Sequence, residues 1–184
     1  MKTIVLAGGC FWGLQKFFDQ FPGVLSTEVG YANGNTDHPD YQAVCNGSGH
    51  AEVVKVNYVN SISTAQILAA FLAAIDPFSL NRQGNDVGIN YRTGIYTCDE
   101  EETRIARAML HDIEAQSGRK VQVEVLPLRD FWTAEEYHQK YLEKNPAGYC
   151  HLPRTLLSGH TLPVLAETIE AYPSLSSVLK ESQP

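Results

Sequence analysis

The apolar residues of this chain change period in a fixed order, and that order admits few folds. Residues 2–7 form a short apolar run of strand length. Phe11, Leu14, Phe17, Phe18 and Phe21 then recur at helical spacing until Phe21-Pro22-Gly23 breaks the pattern. Val24 to Ala32 is expected to be a strand ending in a turn at Asn33-Gly34-Asn35, and the polar residues 35–50 a long surface loop. Val54, Val56 and Tyr58 alternate within a half-buried strand over Glu52 to Val59. Ser63-x-x-Gln66 is a capping box that opens a helix whose apolar face is Ile67, Leu68, Phe71, Leu72 and Ile75, closed by Asp76-Pro77. A polar loop over Phe78 to Tyr91, a strand at Thr93–Thr97, a helix from about Glu100 to Gln116 and a strand over Val121 to Leu126 follow. Thr133-x-x-Glu136 predicts a second capped helix that stops before Pro146. Residues 145–160 have no regular period, and 161–184 carry a weak helical pattern. The order β-α-β-β-α-β followed by α-β-α predicts an α+β, two-layer, ferredoxin-like (split βαβ) sheet with helices packed on it and an irregular C-terminal segment.

Length and charge narrow the function classes. A chain of 184 residues suits one domain, with a core over about 1–150 and a tail over 151–184. It is long enough to fold without a disulfide framework. Its net charge of −7 and its lack of a basic run give no reason to approach nucleic acid or an anionic membrane. The apolar run at the N-terminus stops at Gly8-Gly9, which suits a first strand better than an export signal, and nothing approaches a membrane span. A cytoplasmic monomer with reduced thiols is the expectation. The cysteines stand at 10, 45, 98 and 150, with no Cys-x-x-Cys pair, and Cys45 and Cys98 have the surroundings of packed thiols.

Cys10 differs from those two. It sits in Gly8-Gly9-Cys10-Phe11-Trp12-Gly13, at a junction of strand and helix. A free thiol is only about 3% thiolate at pH 7, and the positive end of a helix favours the anion. The glycines allow a tight turn and leave the sulfur accessible, which describes a nucleophile; a small core residue filling the turn has the same sequence. Phe11 and Trp12 offer a flat apolar wall suited to a methyl group or thioether, or else ordinary packing. Gly49-His50-Ala51-Glu52 contains half of a zinc deaminase signature, but the Pro-Cys-x-x-Cys half is missing. Alternatively, Glu52 is a carboxylic acid raised by burial so that it donates a proton. Gln83-Gly84-Asn85-Asp86, Tyr91 and the earlier Tyr41 could surround a polar oxygen or could simply form turns. Cys150, among turn formers, could reach the first cysteine.

Taken together, these motifs resemble the A-type peptide methionine sulfoxide reductases. The likeness runs from about Thr3 to Cys150 through Gly9-Cys10-Phe11-Trp12-Gly13, Gly30-Tyr31-Ala32, Gly49-His50-Ala51-Glu52, Gln83-Gly84-Asn85-Asp86, Tyr91-Arg92 and Asn145-Pro146-x-Gly148-Tyr149-Cys150. The resemblance implies reduction of the S epimer of methionine sulfoxide, free or in oxidised proteins, with no bound cofactor or metal. Cys10 would attack the sulfoxide sulfur and become a sulfenic acid. Glu52 would protonate the oxygen, Tyr41 and Tyr91 would hold it, and Asp86 would order the site. Phe11 and Trp12 would grip the substrate methyl. Cys150 would resolve the sulfenic acid to a Cys10–Cys150 disulfide, which thioredoxin, or dithiothreitol in vitro, would reduce. Ile75, Asn33 and Ile89-Asn90 depart from the family pattern, and no cysteine follows Cys150. Two other readings compete: a cysteine acyl-transfer enzyme with His50 as its base, and a silent module that binds methionine-like side chains.

Overall fold

The computed structural model describes residues 1–181. The chain forms β1 (Lys2–Gly8), α1 (Phe11–Asp19), β2 (Val24–Ala32), α2 (Tyr41–Cys45), β3 (Ala51–Tyr58) and α3 (Thr64–Ala74). A two-stranded ladder of β4 (Arg82–Gln83) and β5 (Asp86–Val87) leads into β6 (Thr93–Tyr96), α4 (Glu100–Ser117), β7 (Glu124–Leu126) and β8 (Phe131–Thr133). The short helices α5 (Tyr141–Lys144), α6 (Leu165–Ala171) and α7 (Leu175–Glu181) complete the described chain.

The main sheet has the order β7-β6-β1-β3-β2-β8, antiparallel throughout except for the parallel β6–β7 pair. Its middle four strands, β6-β1-β3-β2, have the split-βαβ order that the sequence predicts. Alternation places Ile4 and Leu6 of β1 with Val54 and Val56 of β3 against α1, α3 and α4. Leu14, Phe18, Leu68, Phe71 and Met109 close that layer. Val5, Ala7, Ala51, Val53 and Tyr96 form a smaller cluster on the opposite face, with Leu128 and Phe131 packed on it. The centre of the sheet is therefore covered on both sides, and its strands are fixed in register by two apolar faces.

Local chemistry explains the helix ends. Ser63 Oγ accepts from the Gln66 amide at 3.2 Å, and Gln66 Oε1 accepts from the Ser63 amide at 3.0 Å, so the predicted capping box is present. Asp99 caps α4 by accepting from the Glu102 amide at 2.9 Å, and Gly118, with φ of 67°, ends it in the left-handed region.

Several expectations fail for identifiable reasons. The loop over 35–50 contains α2, because Asp40 Oδ1 accepts from the Ala43 amide at 2.7 Å and starts a helical turn. The loop over 78–91 folds back on itself as the β4–β5 ladder. Only 124–126 of the expected strand 121–126 pairs with β6. Thr133 is no helix cap: its residue pairs with Gly30 in β8, and its hydroxyl donates to Glu28 Oε1. A 3-10 turn over Glu136–His138 and the four residues of α5 stand in place of the helix expected there. Cys45 and Cys98 are exposed rather than packed: Cys45 ends the surface helix α2, and Cys98 leaves the sheet just past β6.

The segment after Cys150 closes over the helical layer. Gln66 Nε2 donates to Pro163 O at 2.9 Å, Gln116 Nε2 to Ala171 O at 3.0 Å, and Leu175 is fully buried. The helical pattern over 161–184 is realised as α6 and α7, with 182–184 outside the described residues. Among the described residues, no helix is long and apolar enough to cross a membrane.

Candidate active site

Strand β1 delivers the nucleophile candidate to the end of the sheet. The turn after it passes through Gly9 at φ of +80°, where a Cβ would stand 2.6 Å from Gln83 Cβ, so backbone angle and space both call for glycine. Cys10 follows as the N-cap of α1 and is 7% exposed. Glu52 reaches the same place from β3. It shares parity with Val54 and Val56 and so points to the helix side of the sheet, just beyond the Leu6–Val54 pair. Its Oε2 accepts from the Phe11 amide at 3.2 Å, and the Asn90 side chain also bonds it.

Burial sets the protonation of both groups. Glu52 is 2% exposed and is pushed up to about 8, chiefly by burial and further by the charge of Asp86; the Phe11 and Asn90 hydrogen bonds oppose the rise. At neutral pH it is a neutral acid. The Cys10 thiol is also pushed well above its ordinary value, by burial first and then by the Glu52 charge. The Trp12 amide at the helix start pulls it back only in part. The expectation that the helix end lowers this pKa is corrected: loss of hydration outweighs one amide dipole in the resting site.

The remaining predicted groups surround this pair. Tyr41 and Tyr91 lie close enough to act on each other's ionisation, and both feel the Glu52 charge. Burial raises both, Tyr91 to about 12. Asp86, on β5, is close enough to raise Cys10, Glu52, Tyr91 and Tyr149. Its Oδ2 is buried and has no hydrogen-bond partner among the described residues. Phe11 is fully buried, with its ring 5.8 Å from Tyr31 and 5.1 Å from His138, so it belongs to the core as much as to the site. Trp12 is half-buried. Its ring stacks on Tyr141 at 3.7 Å between centroids and 13° between planes, and its Nε1 donates to His138 Nδ1 at 3.0 Å.

The second sulfur lies one helical turn along. All four cysteines are unpaired thiols. Cys150 is half-buried, and a Cβ on Gly13 would fall 2.7 Å from its Sγ. Positions 10 and 13 share a face of α1, so the glycine is the floor on which the Cys150 sulfur rests beside Cys10. His50, by contrast, is fully buried with Nδ1 at 2.8 Å from Ser48 Oγ and Nε2 at 3.1 Å from Asp130 Oδ2. Both ring nitrogens are occupied, which leaves none to take a proton from Cys10 in an acyl-transfer mechanism.

Several supports of the site have no role assigned to them in the sequence. Asn90 acts on Glu52, Tyr149 faces the charge of Asp86, and His138 and Tyr141 fix the Trp12 ring. An indole N–H beside a core helix needs an acceptor, and Tyr137-His138 with Tyr141 was the available signal.

Known proteins resemble this chain over most of its length. A family model described as "Peptide methionine sulfoxide reductase" matches residues 2–162. Peptide methionine sulfoxide reductase MsrA of Clostridium perfringens (strain 13 / Type A) is 51% identical over 154 residues, covering 83% of this chain and 98% of that protein. Among solved structures, Mxr1 from Saccharomyces cerevisiae in reduced form superposes with a TM-score of 0.73 at 35% identity, covering 81% of this chain and 88% of that one. The same yeast protein in complex with Trx2 matches with a TM-score of 0.52 at 25% identity, over 76% of this chain and 84% of that one.

Proposed function

The chain belongs to the peptide methionine sulfoxide reductase family, and we propose that it reduces the S epimer of methionine sulfoxide, free or within oxidised proteins, at the end of β1. The observation that carries this reading is the buried Glu52 carboxyl, protonated up to about pH 8, beside the thiol of Cys10. A sulfoxide oxygen is a poor leaving group until it is protonated, and a neutral acid beside a nucleophilic sulfur supplies that proton.

In this reading the Cys10 thiolate attacks the sulfoxide sulfur as Glu52 gives its proton to the oxygen. The oxygen passes to Cys10 as a sulfenic acid and the thioether leaves, so the substrate sulfur gains the two electrons that Cys10 loses. Tyr41 and Tyr91 hold the oxygen during the transfer. Asp86, whose buried Oδ2 has no protein partner among the described residues, orders the site through water. Trp12, held flat by Tyr141 and His138, and Phe11, packed against His138, receive the methyl group and favour one epimer. The Cys150 thiol then displaces water from the sulfenic acid, giving the Cys10–Cys150 disulfide. No bound cofactor takes part. A thioredoxin-type dithiol restores the enzyme, supported by the yeast relative solved in complex with Trx2. Such a cycle suits a monomer in a reducing compartment such as the cytoplasm. The test is a mass assay with a peptide carrying each sulfoxide epimer and dithiothreitol as reductant. Loss of one oxygen from the S epimer only, abolished in Cys10→Ser, is expected; loss from neither epimer sinks the reading.

The pH dependence of one turnover follows from the two ionisations. The reactive form has Glu52 protonated and Cys10 ionised, and with Glu52 near 8 and Cys10 well above its ordinary value it is a minor population. Its share grows with pH as thiolate forms, until ionisation of Glu52 cancels the gain. Single-turnover rates are therefore expected to climb with pH and break to a plateau near pH 8. Rates of Glu52→Gln, which has no acid to lose, are expected to be lower and to keep climbing. A break that survives in Glu52→Gln would assign the ionisation elsewhere.

A further inference from the structure

Beside Cys150 a groove of about 400 Å³ opens to solvent, within the usual ~300–1,000 Å³ of small-molecule sites. Lys16, Glu143, Arg154 and Ser158 line it together with Cys150. Lys16 lies on α1 one turn beyond Gly13, so Cys10, Gly13 and Lys16 step along one side of the helix. Arg154 donates to Pro146 O at 2.9 Å, which ties the loop that carries Cys150, and its charge favours the Cys150 thiolate. Among the described residues, none of Lys16, Glu143 and Arg154 forms an ion pair. A chain of net charge −7 thus gathers two cations and one carboxylate, none ion-paired among the described residues, around a half-buried sulfur that lines the groove.

We propose that this groove binds an anionic peptide thiol of the glutathione class, whose two carboxylates meet Lys16 and Arg154 and whose amino group meets Glu143, and that this thiol reduces the enzyme at Cys150. The proposal rests on the disulfide cycle above. The incoming thiolate attacks Cys150 Sγ, because Cys10 is 7% exposed and closed off by the turn. A bond forms between Cys150 and the peptide sulfur as the Cys10–Cys150 bond breaks, and Cys10 leaves as a thiolate that takes up a proton. A second peptide thiolate attacks the bound peptide sulfur. It frees the Cys150 thiol and releases the oxidised peptide pair, so two thiols are oxidised for each disulfide reduced.

The test starts from the protein oxidised by one equivalent of methionine sulfoxide. Its disulfide is reduced by glutathione and, separately, by glutathione diethyl ester, which carries the same thiol without the carboxylates, with rates expressed per thiolate. The overall negative charge of the protein favours the ester. The proposal expects glutathione to react about tenfold faster, as two exposed charge pairs each worth a factor of about three. The preference should vanish or invert in Lys16→Glu/Arg154→Glu, and because the readout is a ratio within one protein, a change in its stability does not affect it. Peptide mapping should place the mixed disulfide on Cys150. Equal rates in the natural protein, or an unchanged ratio in the double variant, would overturn the proposal. Failure of the protein to form any disulfide with methionine sulfoxide would overturn the cycle itself and this site with it.

Discussion

Glu52→Gln is expected to slow formation of the thioether by about 10²- to 10⁴-fold, the range for loss of a positioned general acid. The substitution keeps shape and most bonding. The Phe11 amide still finds a side-chain oxygen, and the strand pairing of β3 with β1 and β2 does not involve the side chain. What disappears is the proton, since an amide cannot donate one to a leaving oxygen at neutral pH. Rapid-quench measurement of the first equivalent of methionine made by the reduced protein isolates this step from recycling. A rate within a few-fold of the natural protein would remove Glu52 from the chemistry.

The second large effect separates chemistry from recycling. Cys150→Ser is expected to make one equivalent of methionine at about the natural rate and then stop as a sulfenic acid, which dimedone traps on Cys10. Gly13→Ala should show the same defect in graded form. Its new methyl would stand 2.7 Å from the Cys150 sulfur, so the sulfur must retreat from Cys10. Alanine also favours the helix by about 1 kcal/mol over glycine, so unfolding is not the expected failure. Steady-state turnover is expected to fall about tenfold or more while the first equivalent is kept, a burst that slows, as for intermediates that accumulate before a hindered second step. Full steady-state turnover in Gly13→Ala would mean that Cys150 reaches Cys10 by another route.

Much of the scaffold was legible because its elements are long and two-faced. Strand β2 and the helix capped by Ser63 are where periodicity and capping place them. Glu52 was legible too: it continues the parity of Val54, Val56 and Tyr58, so a carboxyl stands on a face otherwise committed to the core. The short elements were not legible. The ladder over 82–87 has two residues on each side, too few to show a period, while the strand over 131–133 depends on a partner far away in sequence, and Thr133 has the pattern of a helix cap while its hydroxyl is engaged by Glu28. The supports of the site share this property. Trp12 and His138 are 126 residues apart, and no local pattern joins them. The thiol of Cys10 shows the limit of a local electrostatic rule, because the helix start acts on it as expected and burial acts more strongly.

Helix α1 begins without an acidic residue in its own first turn, and the carboxyl that bonds its Phe11 amide is borrowed from β3. A carboxylate at that end strengthens a helix more than a neutral acid does, because it answers the exposed amides with charge. The turn of backbone that holds the nucleophile therefore tightens when Glu52 has spent its proton and relaxes when the proton returns. The amide of Phe11 is a resident witness of that exchange: its magnetic resonance follows the charge of the acid through the cycle without any label being added to the site.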